Sequence, residues 1–332
     1  MHTLNVYKQI FGLYKAGTRF VDLTEEDGTI YAMASPVEFP TTVRFHNKTL
    51  DIIESISKSA MTQFLTKFTS FKTRYFRSTT GVQSAEWLFG ELTALAKESN
   101  RSDVSLKVSK FEHSWGQFSI IASLEPTEGI SNDIAIVSAH QDSVNGWNPF
   151  WGASPGADDD GSGTVTIFEA LRCLLAAEEF VPTRTIQWHF YSAEEGGLLG
   201  SQKVAQSYIS KLKIPVFGVF HIDMTGYAKP GTNPVVALAT DFTSKPLTEF
   251  VSLVVAAYSD IDLAYTECGY ACSDHASWTK HGVPAAFAFE GPFEDHSPYI
   301  HTTDDTVDHI DFDHVAEFVK SVIGFVIESS AN

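Results

Sequence analysis

Five short segments bearing acids or histidines carry the chemistry of this chain. Ala193-Glu194-Glu195-Gly196 follows an apolar run, Thr185 to Tyr191, that reads as a buried strand. Two adjacent carboxylates therefore stand at a strand's carboxyl end, the edge of an α/β sheet where ligands gather. Neighbouring residues there point in different directions, so one carboxylate can hold a cation while the other handles a proton. His140-Gln141-Asp142, Asp158-Asp159-Asp160 and Asp223 also end or follow apolar runs, and His301 lies near the carboxyl terminus. His140 and Asp142 fall on one side of a continuing strand, which lets the carboxylate accept the imidazole's second N–H and fix a metal-bound ring. The consecutive acids Asp158 to Asp160 repel one another unless a cation or solvent is present. Gly156, Gly161 and Gly163 around them let the backbone approach a metal closely.

Each segment also has a plainer reading: a hydrogen-bonded histidine, a helix cap, acids at a helix N-terminus, a surface turn. Their joint occurrence at successive strand ends favours a two-metal hydrolytic site. One bridging carboxylate, with one histidine and one further carboxylate per ion, accounts for the set and leaves one glutamate over for proton transfer. A histidine in each half favours zinc over magnesium or calcium.

The elements that must position these groups follow from the apolar pattern. Leu50, Ile53, Ile56, Met61, Phe64, Leu65 and Phe68 predict one or two amphipathic helices. Ser84 is placed as the cap of another helix running to about Lys97, with Trp87, Leu88, Leu92 and Leu95 on one face. Val104 to Phe111 and Phe118 to Leu124 alternate like neighbouring strands, and Ile134 to Ala139 reads as a central strand. Further strands are expected at Thr185 to Tyr191, Val216 to Ile222, Val235 to Ala239 and Ala285 to Phe289. Helices are expected at Ser162 to Glu179, Leu198 to Lys211, Leu247 to Tyr258 and Phe312 to Glu328. Strands alternating with helices give an α/β layered domain with a largely parallel middle. Residues 1–45 read as a separate extension, with a short helix at Val6 to Tyr14, and residues 46–332 as the catalytic domain.

The chain has 332 residues, 43% hydrophobic and 13% aromatic, enough for one large core. Lys plus Arg number 23 against 41 Asp plus Glu, a formal charge of -18, which removes the basic footprint a nucleic-acid partner needs. No apolar run is long enough to span a bilayer. Met1 to Asn5 lacks the pattern of a signal peptide, so the chain is either cytosolic or begins after a removed leader; the sequons Asn47-Lys48-Thr49 and Asn100-Arg101-Ser102 favour secretion. Cys268 and Cys272 could form a disulfide, remain thiols or supply half a zinc site; with no second pair, structural zinc is disfavoured. Cys173 lies in an amphipathic helix as a buried thiol.

In Ser138 to Ser143, Pro155 to Gly163, Ser192 to Gly200, Ile222 to Thr225, Cys268 to Trp278 and His301 to Thr306, the chain resembles the secreted co-catalytic zinc aminopeptidases, the leucine-aminopeptidase-like group of bacteria and fungi. The resemblance covers roughly residues 50 to 330, with the motifs in the family's order. It implies a single globular α/β domain with a mixed sheet of about eight strands and helices on both faces. It implies two zinc ions, one held by His140 and Asp223, the other by Glu195 and His301. Asp159 would bridge them, lying three residues before Ser162 in the family's register. Asp142 would support His140, Asp304 or Asp305 would orient His301, and Glu194 would be the general base and acid. Substrates would be peptides with a free amino terminus. An apolar pocket for the first residue would draw on Met224, Cys268, Tyr270, Cys272, Phe287, Phe289, Phe293 and Ile300, with Cys268 and Cys272 joined as a disulfide. Strand core is the plainer reading of Phe287 and Phe289. His296 departs from the aromatic of bacterial relatives and leaves leucine against phenylalanine open. A secreted monomer is expected, with residues 1–45 as a retained pro-segment. The rivals are a zinc exopeptidase of other specificity, a one-zinc glutaminyl-peptide cyclase and an inactive peptidase-fold binding protein; the full ligand set and the base argue against the last two. A serine hydrolase is disfavoured, because no Gly-x-Ser-x-Gly elbow follows a strand.

Overall fold

The computed structural model describes residues 37–129 and 131–331. The strands are β1 Val104–Phe111, β2 Ser119–Pro126, β3 Ile134–His140, β4 Thr185–Tyr191, β5 Val216–Ile222, β6 Val235–Ala239, β7 Asp262–Thr266 and β8 Ala285–Phe289. The helices are α1 His46–Ile53, α2 Lys58–Phe68, α3 Thr79–Glu98, α4 Gly163–Ala176, α5 Leu199–Gln206, α6 Lys245–Tyr258, α7 His275–Lys280 and α8 Phe312–Ser330. All eight strands join one mixed sheet in the order β1-β2-β4-β3-β5-β8-β6-β7. The middle of it, β4-β3-β5-β8, is parallel. β1 pairs antiparallel with β2, β2 with β4 and β6 with β8.

Continuous apolar strands need cover on both faces, and they have it. Ala135, Val137 and Ala139 of β3 pack in one cluster with Ile167, Leu171 and Leu174 of α4 and Phe318, Val322 and Phe325 of α8. Ile134 and Ile136 face the other way, onto Val204 and Ala205 of α5 and Trp278 of α7. Each of the larger side chains among them, Val, Leu, Ile and Phe, contributes about 1.5–3 kcal/mol when removed from water, so the three central strands form the rigid platform on which the site stands.

Four sequence expectations change. The cap of α3 is Ser78, whose hydroxyl accepts from the Gly81 amide at 2.9 Å. Ser84 is buried inside the helix and donates to the Gly81 carbonyl; the first turn, Thr79-Thr80-Gly81, lacks the apolar spacing that marks the rest. β7 is an edge strand with weak apolar content and an exposed Tyr265, so it escaped the pattern, as did the six-residue α7. The helix expected at Leu198 to Lys211 is α5 followed by a wider turn, Ser207–Leu212. The helix expected at Val6 to Tyr14 lies outside the described residues.

The end of the expected extension, residues 37–45, packs with the core. Val37, Phe39, Val43 and Phe45 lie against it, and Phe39 meets Phe217 edge-on at 5.0 Å. The buried Glu328 carboxylate of α8 accepts the Arg44 amide at 2.8 Å, the Phe45 amide at 2.9 Å and the Tyr258 hydroxyl. Among the described residues no helix is long and apolar enough to cross a membrane.

Candidate metal centre

Strand register assembles the site. β3 pairs residue for residue with β4, His140 opposite Tyr191, and with β5, Ser138 opposite His221. Three adjacent parallel strands therefore end at one level, bringing His140, the Glu194-Glu195 turn and Asp223 together. Asp158 to Asp160 arrive on the turn Ala157–Ser162 that leads into α4. The backbone is bent hard here: Ala193, Met224 and His301, each non-glycine, have φ of 61°, 59° and 59°. Such conformations are held only where the surroundings fix them.

Asp159 lies between the two histidines. Its Oδ1 is 3.2 Å from His140 Nε2 and its Oδ2 is 2.9 Å from His301 Nε2. On one side Asp223 Oδ1 lies 3.5 Å from His140 Nε2; on the other, Glu195 Oε2 lies 3.2 Å from His301 Nε2. The five residues thus form two His–carboxylate groups sharing a central carboxylate. Asp160 also comes within reach of His140 and Asp223. Its oxygens, however, accept the amides of His140 (3.1 Å), Gly163 (2.8 Å) and Met224 (3.0 Å), a scaffolding duty that leaves Asp159 as the presented acid. A Cβ on Gly163 would sit 2.2 Å from Asp160 Oδ1, so only glycine fits there.

The electrostatics of this cluster call for cations. Burial would lower the His140 pKa, but the charge of Asp223 and hydrogen bonds to Asp142 and Asp159 raise it well above its ordinary value. Burial likewise opposes protonation of His301, yet the Glu195 charge and hydrogen bonds to Asp159 and Glu195 push it up to about 10. Asp159, despite burial, is held well below the usual carboxylate range by the two histidines. Burial and the Asp223 charge drive Asp160 well above that range. Protonated imidazoles and one buried guanidinium, Arg74, are thus set against a packed group of acids. His140 Nε2 and Asp223 Oδ1 face each other at 3.5 Å, buried and without a well-formed hydrogen bond, as donors aimed at a metal are. Nitrogen and oxygen donors in this mixture suit zinc.

Around this set runs a supporting layer. Asp142 Oδ1 accepts the Glu194 amide at 3.0 Å and Oδ2 the Glu195 amide at 3.3 Å. The His140 ring meets the Asp142 main-chain carbonyl at 3.2 Å, with the carboxylate at 3.6 Å. Asp142 therefore fixes the Glu194-Glu195 turn as well as neighbouring the ring. Asp305, expected to orient His301, spends both oxygens on the Asp158 and Asp159 amides at 2.8 and 3.1 Å and holds the central acid through its backbone. Ser273 donates to Asp223 Oδ2 at 2.6 Å and is joined at 2.7 Å to His221, whose other nitrogen meets Ser138. Glu194 is fully buried.

Arg74 escaped the sequence reading altogether. Its guanidinium lies under the centre, 4.2 Å from the Phe68 ring, and donates to the carbonyls of Gln141, Pro155 and Gly156. One side chain thus ties the strand end bearing His140 to the loop bearing Asp159. Burial lowers its pKa to about 10 against the pull of Asp305, Asp142, Asp160 and Asp159. Nothing in the local sequence Thr73-Arg74-Tyr75 distinguishes it from a surface arginine. Ser273 and Asp160 were visible only as motif neighbours.

Met224, Cys272, Phe287 and Phe289 form one apolar cluster with Ala239, against which Cys268, Tyr270, Phe293 and Ile300 pack. All eight expected pocket residues are thus gathered beside Asp223. Cys268 and Cys272 are joined by a disulfide, and Cys173 is a buried free thiol. His296 lies tilted against Phe293, ring centres 5.5 Å apart, on the rim of this cluster.

A sheet that presents histidines and acids at neighbouring parallel strand ends has the layout of a metal-dependent hydrolase. Residues 119–326 match peptidase family M28. Leucine aminopeptidase 1 of Coccidioides posadasii is 43% identical over 96% of this chain and 84% of its own length. The crystal structure of the LapA aminopeptidase of Legionella pneumophila is 32% identical, with a TM-score of 0.81 over 94% of this chain and 80% of that one. LapB of the same organism gives 30% identity and a TM-score of 0.82 over 94% and 82%. The chain belongs to peptidase family M28 and is a hydrolase of the aminopeptidase class.

Proposed function

We propose that the protein removes the first residue from peptides with an apolar amino-terminal side chain, using two zinc ions. His140 and Asp223 would hold one ion, Glu195 and His301 the other, and Asp159 both. The observation that carries this is Asp159, whose two oxygens face the Nε2 atoms of His140 and His301 at 3.2 and 2.9 Å. When bound, the ions would supply Lewis acidity toward the scissile carbonyl and a water acidic enough to ionise near neutral pH. Glu194 accepts the proton from the attacking water and returns it to the leaving amine. It is well sited for this, because its backbone is pinned by Asp142 while its side chain lies buried beside Glu195. The apolar cluster around Met224, Phe287 and Phe289 receives the first side chain, and Tyr270 at its edge can donate to the developing oxyanion.

The test is elemental analysis of the purified protein together with hydrolysis of leucyl and phenylalanyl amides before and after chelation. Two zinc per chain and activity restored by zinc are expected. Full activity with one equivalent or none would overturn the two-ion reading.

The same reading makes the protein a secreted monomer, glycosylated at the exposed Asn47 and Asn100, with its amino-terminal residues acting as a pro-segment. Since residues 37–45 pack with the core, the cut that releases the segment is placed before Val37. Activity rising after cleavage there is expected; full activity of the intact chain would argue against inhibition.

A further inference from the structure

The loop after β3 presents three aromatic side chains to water. Trp147 is 91% exposed, Phe150 61% and Trp151 77%. The tip is nevertheless held firmly. Asn145 Oδ1 accepts the amides of Trp147 and Asn148 at 3.1 and 3.0 Å, and its Nδ2 donates to the Ala153 carbonyl at 2.8 Å. Ser143 and Ser154 lace the base with bonds of 2.9 Å. No charged residue lies between Asp142 and Asp158, although the chain as a whole carries a charge of -18. A built, neutral loop that keeps large aromatic groups in solvent has a use for them.

Its position says what that use is. Of the five candidate ligands, His301 has a side chain 30% exposed, against 0% for His140 and 2% for Asp159 and Glu195, so the centre opens to solvent at His301. The aromatic loop is fastened at this point, since Gly146 donates to the His301 carbonyl at 2.9 Å. Phe150 meets Tyr75 edge-on at 5.7 Å, and Tyr75 belongs to a small apolar cluster with Phe76, Val144 and Ala193, the residue before Glu194. The first-residue cluster lies at the β5-β8 end of the centre, and this second cluster at the β4 end.

We infer that Trp147, Phe150 and Trp151 form a platform for the second and third residues of the substrate, selecting peptides with apolar or aromatic side chains there. This rests on the aminopeptidase reading, with the first residue against Met224 and Phe287. A peptide bond held at the centre then leaves the rest of the chain to exit past His301 and across the loop. Aromatic contacts of this kind recognise apolar side chains and peptide planes alike.

The test compares Leu-Phe-Phe with Leu-Gly-Gly on wild type, on Trp147→Ser, and on Trp147→Ser combined with Phe150→Ser and Trp151→Ser. Calorimetry of a Leu-Phe-Phe analogue whose first peptide bond is reduced runs in parallel. Wild type is expected to favour Leu-Phe-Phe by about tenfold in kcat/KM, mainly through KM. The triple variant should lose that preference and bind the analogue about tenfold more weakly, with Trp147→Ser in between. An unchanged preference or an unchanged Kd in the triple variant would overturn the platform. If wild type cleaves neither peptide but the triple variant still binds the analogue more weakly, the platform stands and the aminopeptidase reading falls.

Discussion

Replacing Arg74 by methionine tests whether one buried cation holds the metal-bearing loops together. The side chain is fully buried and donates to the carbonyls of Gln141 and Gly156 at 2.8 Å and to that of Pro155. Hydrogen bonds from a charged donor contribute about 1.5–3 kcal/mol each, so three of them set a gross loss of about 5–9 kcal/mol. Against this stands relief of the buried charge, seen as a pKa lowered from 12.5 to about 10. At about 1.4 kcal/mol per pKa unit, that returns roughly 3 kcal/mol. The net cost is about 2–6 kcal/mol, since the three carbonyls lose their donor while the buried charge is relieved. Urea unfolding followed by tryptophan fluorescence, with zinc and after chelation, measures it. The loss should be larger after chelation, because Asp305, Asp142, Asp160 and Asp159 then have fewer positive charges near them. Arg74→Lys should recover part of it, keeping the charge but not the three-way fork. An Arg74→Met protein within about 1 kcal/mol of wild type in both states would refute the reasoning, since a lost buried network costs more than that.

Glu194→Ala should retain both zinc ions and lose about 10²–10⁴ in kcat, whereas Glu195→Ala should lose metal by elemental analysis; equal metal loss from both would undo the division of labour. Asp159→Asn should weaken both ions together, because its two oxygens face different histidines; titration showing one site intact would contradict a bridge. His189 is kept neutral by burial, its pKa lowered to about 3, and is bonded to Tyr191 and Gln187. The unfolded chain takes up that proton near pH 6.5, so the contribution of His189 is complete above about pH 6.5 and is lost as pH falls toward the folded value. His189→Gln should therefore be less stable than wild type at pH 8, with a gap that narrows by up to about 1.4 kcal/mol per pH unit below 6.5. A gap constant from pH 8 to pH 5 would show that burial does not hold the ring neutral.

Much of the centre was legible because it depends on strand ends. Thr185–Tyr191, Val216–Ile222, Val235–Ala239 and Ala285–Phe289 announce themselves as apolar runs with the observed bounds, and the groups that follow them can only lie along one edge of a parallel sheet. Family likeness supplied what spacing could not: that Asp159 rather than its neighbours is presented, and that distant His301 joins it. The supporting layer was hidden for a physical reason. Arg74 acts on carbonyls 67 to 82 residues away, and Asp305 acts on amides 146 and 147 residues away. Bonds to backbone atoms leave no mark on the residues that receive them. Asp142 and Asp305 were singled out for their neighbouring histidines, yet their carboxylates hold turns.

Glu328 joins the two ends of the described chain. Removing Glu328 and the residues after it would take away the acceptor for the amides of Arg44 and Phe45, together with the Ser330 carbonyl that Thr183 binds at 2.6 Å. Trimming the back of the protein would therefore loosen its front.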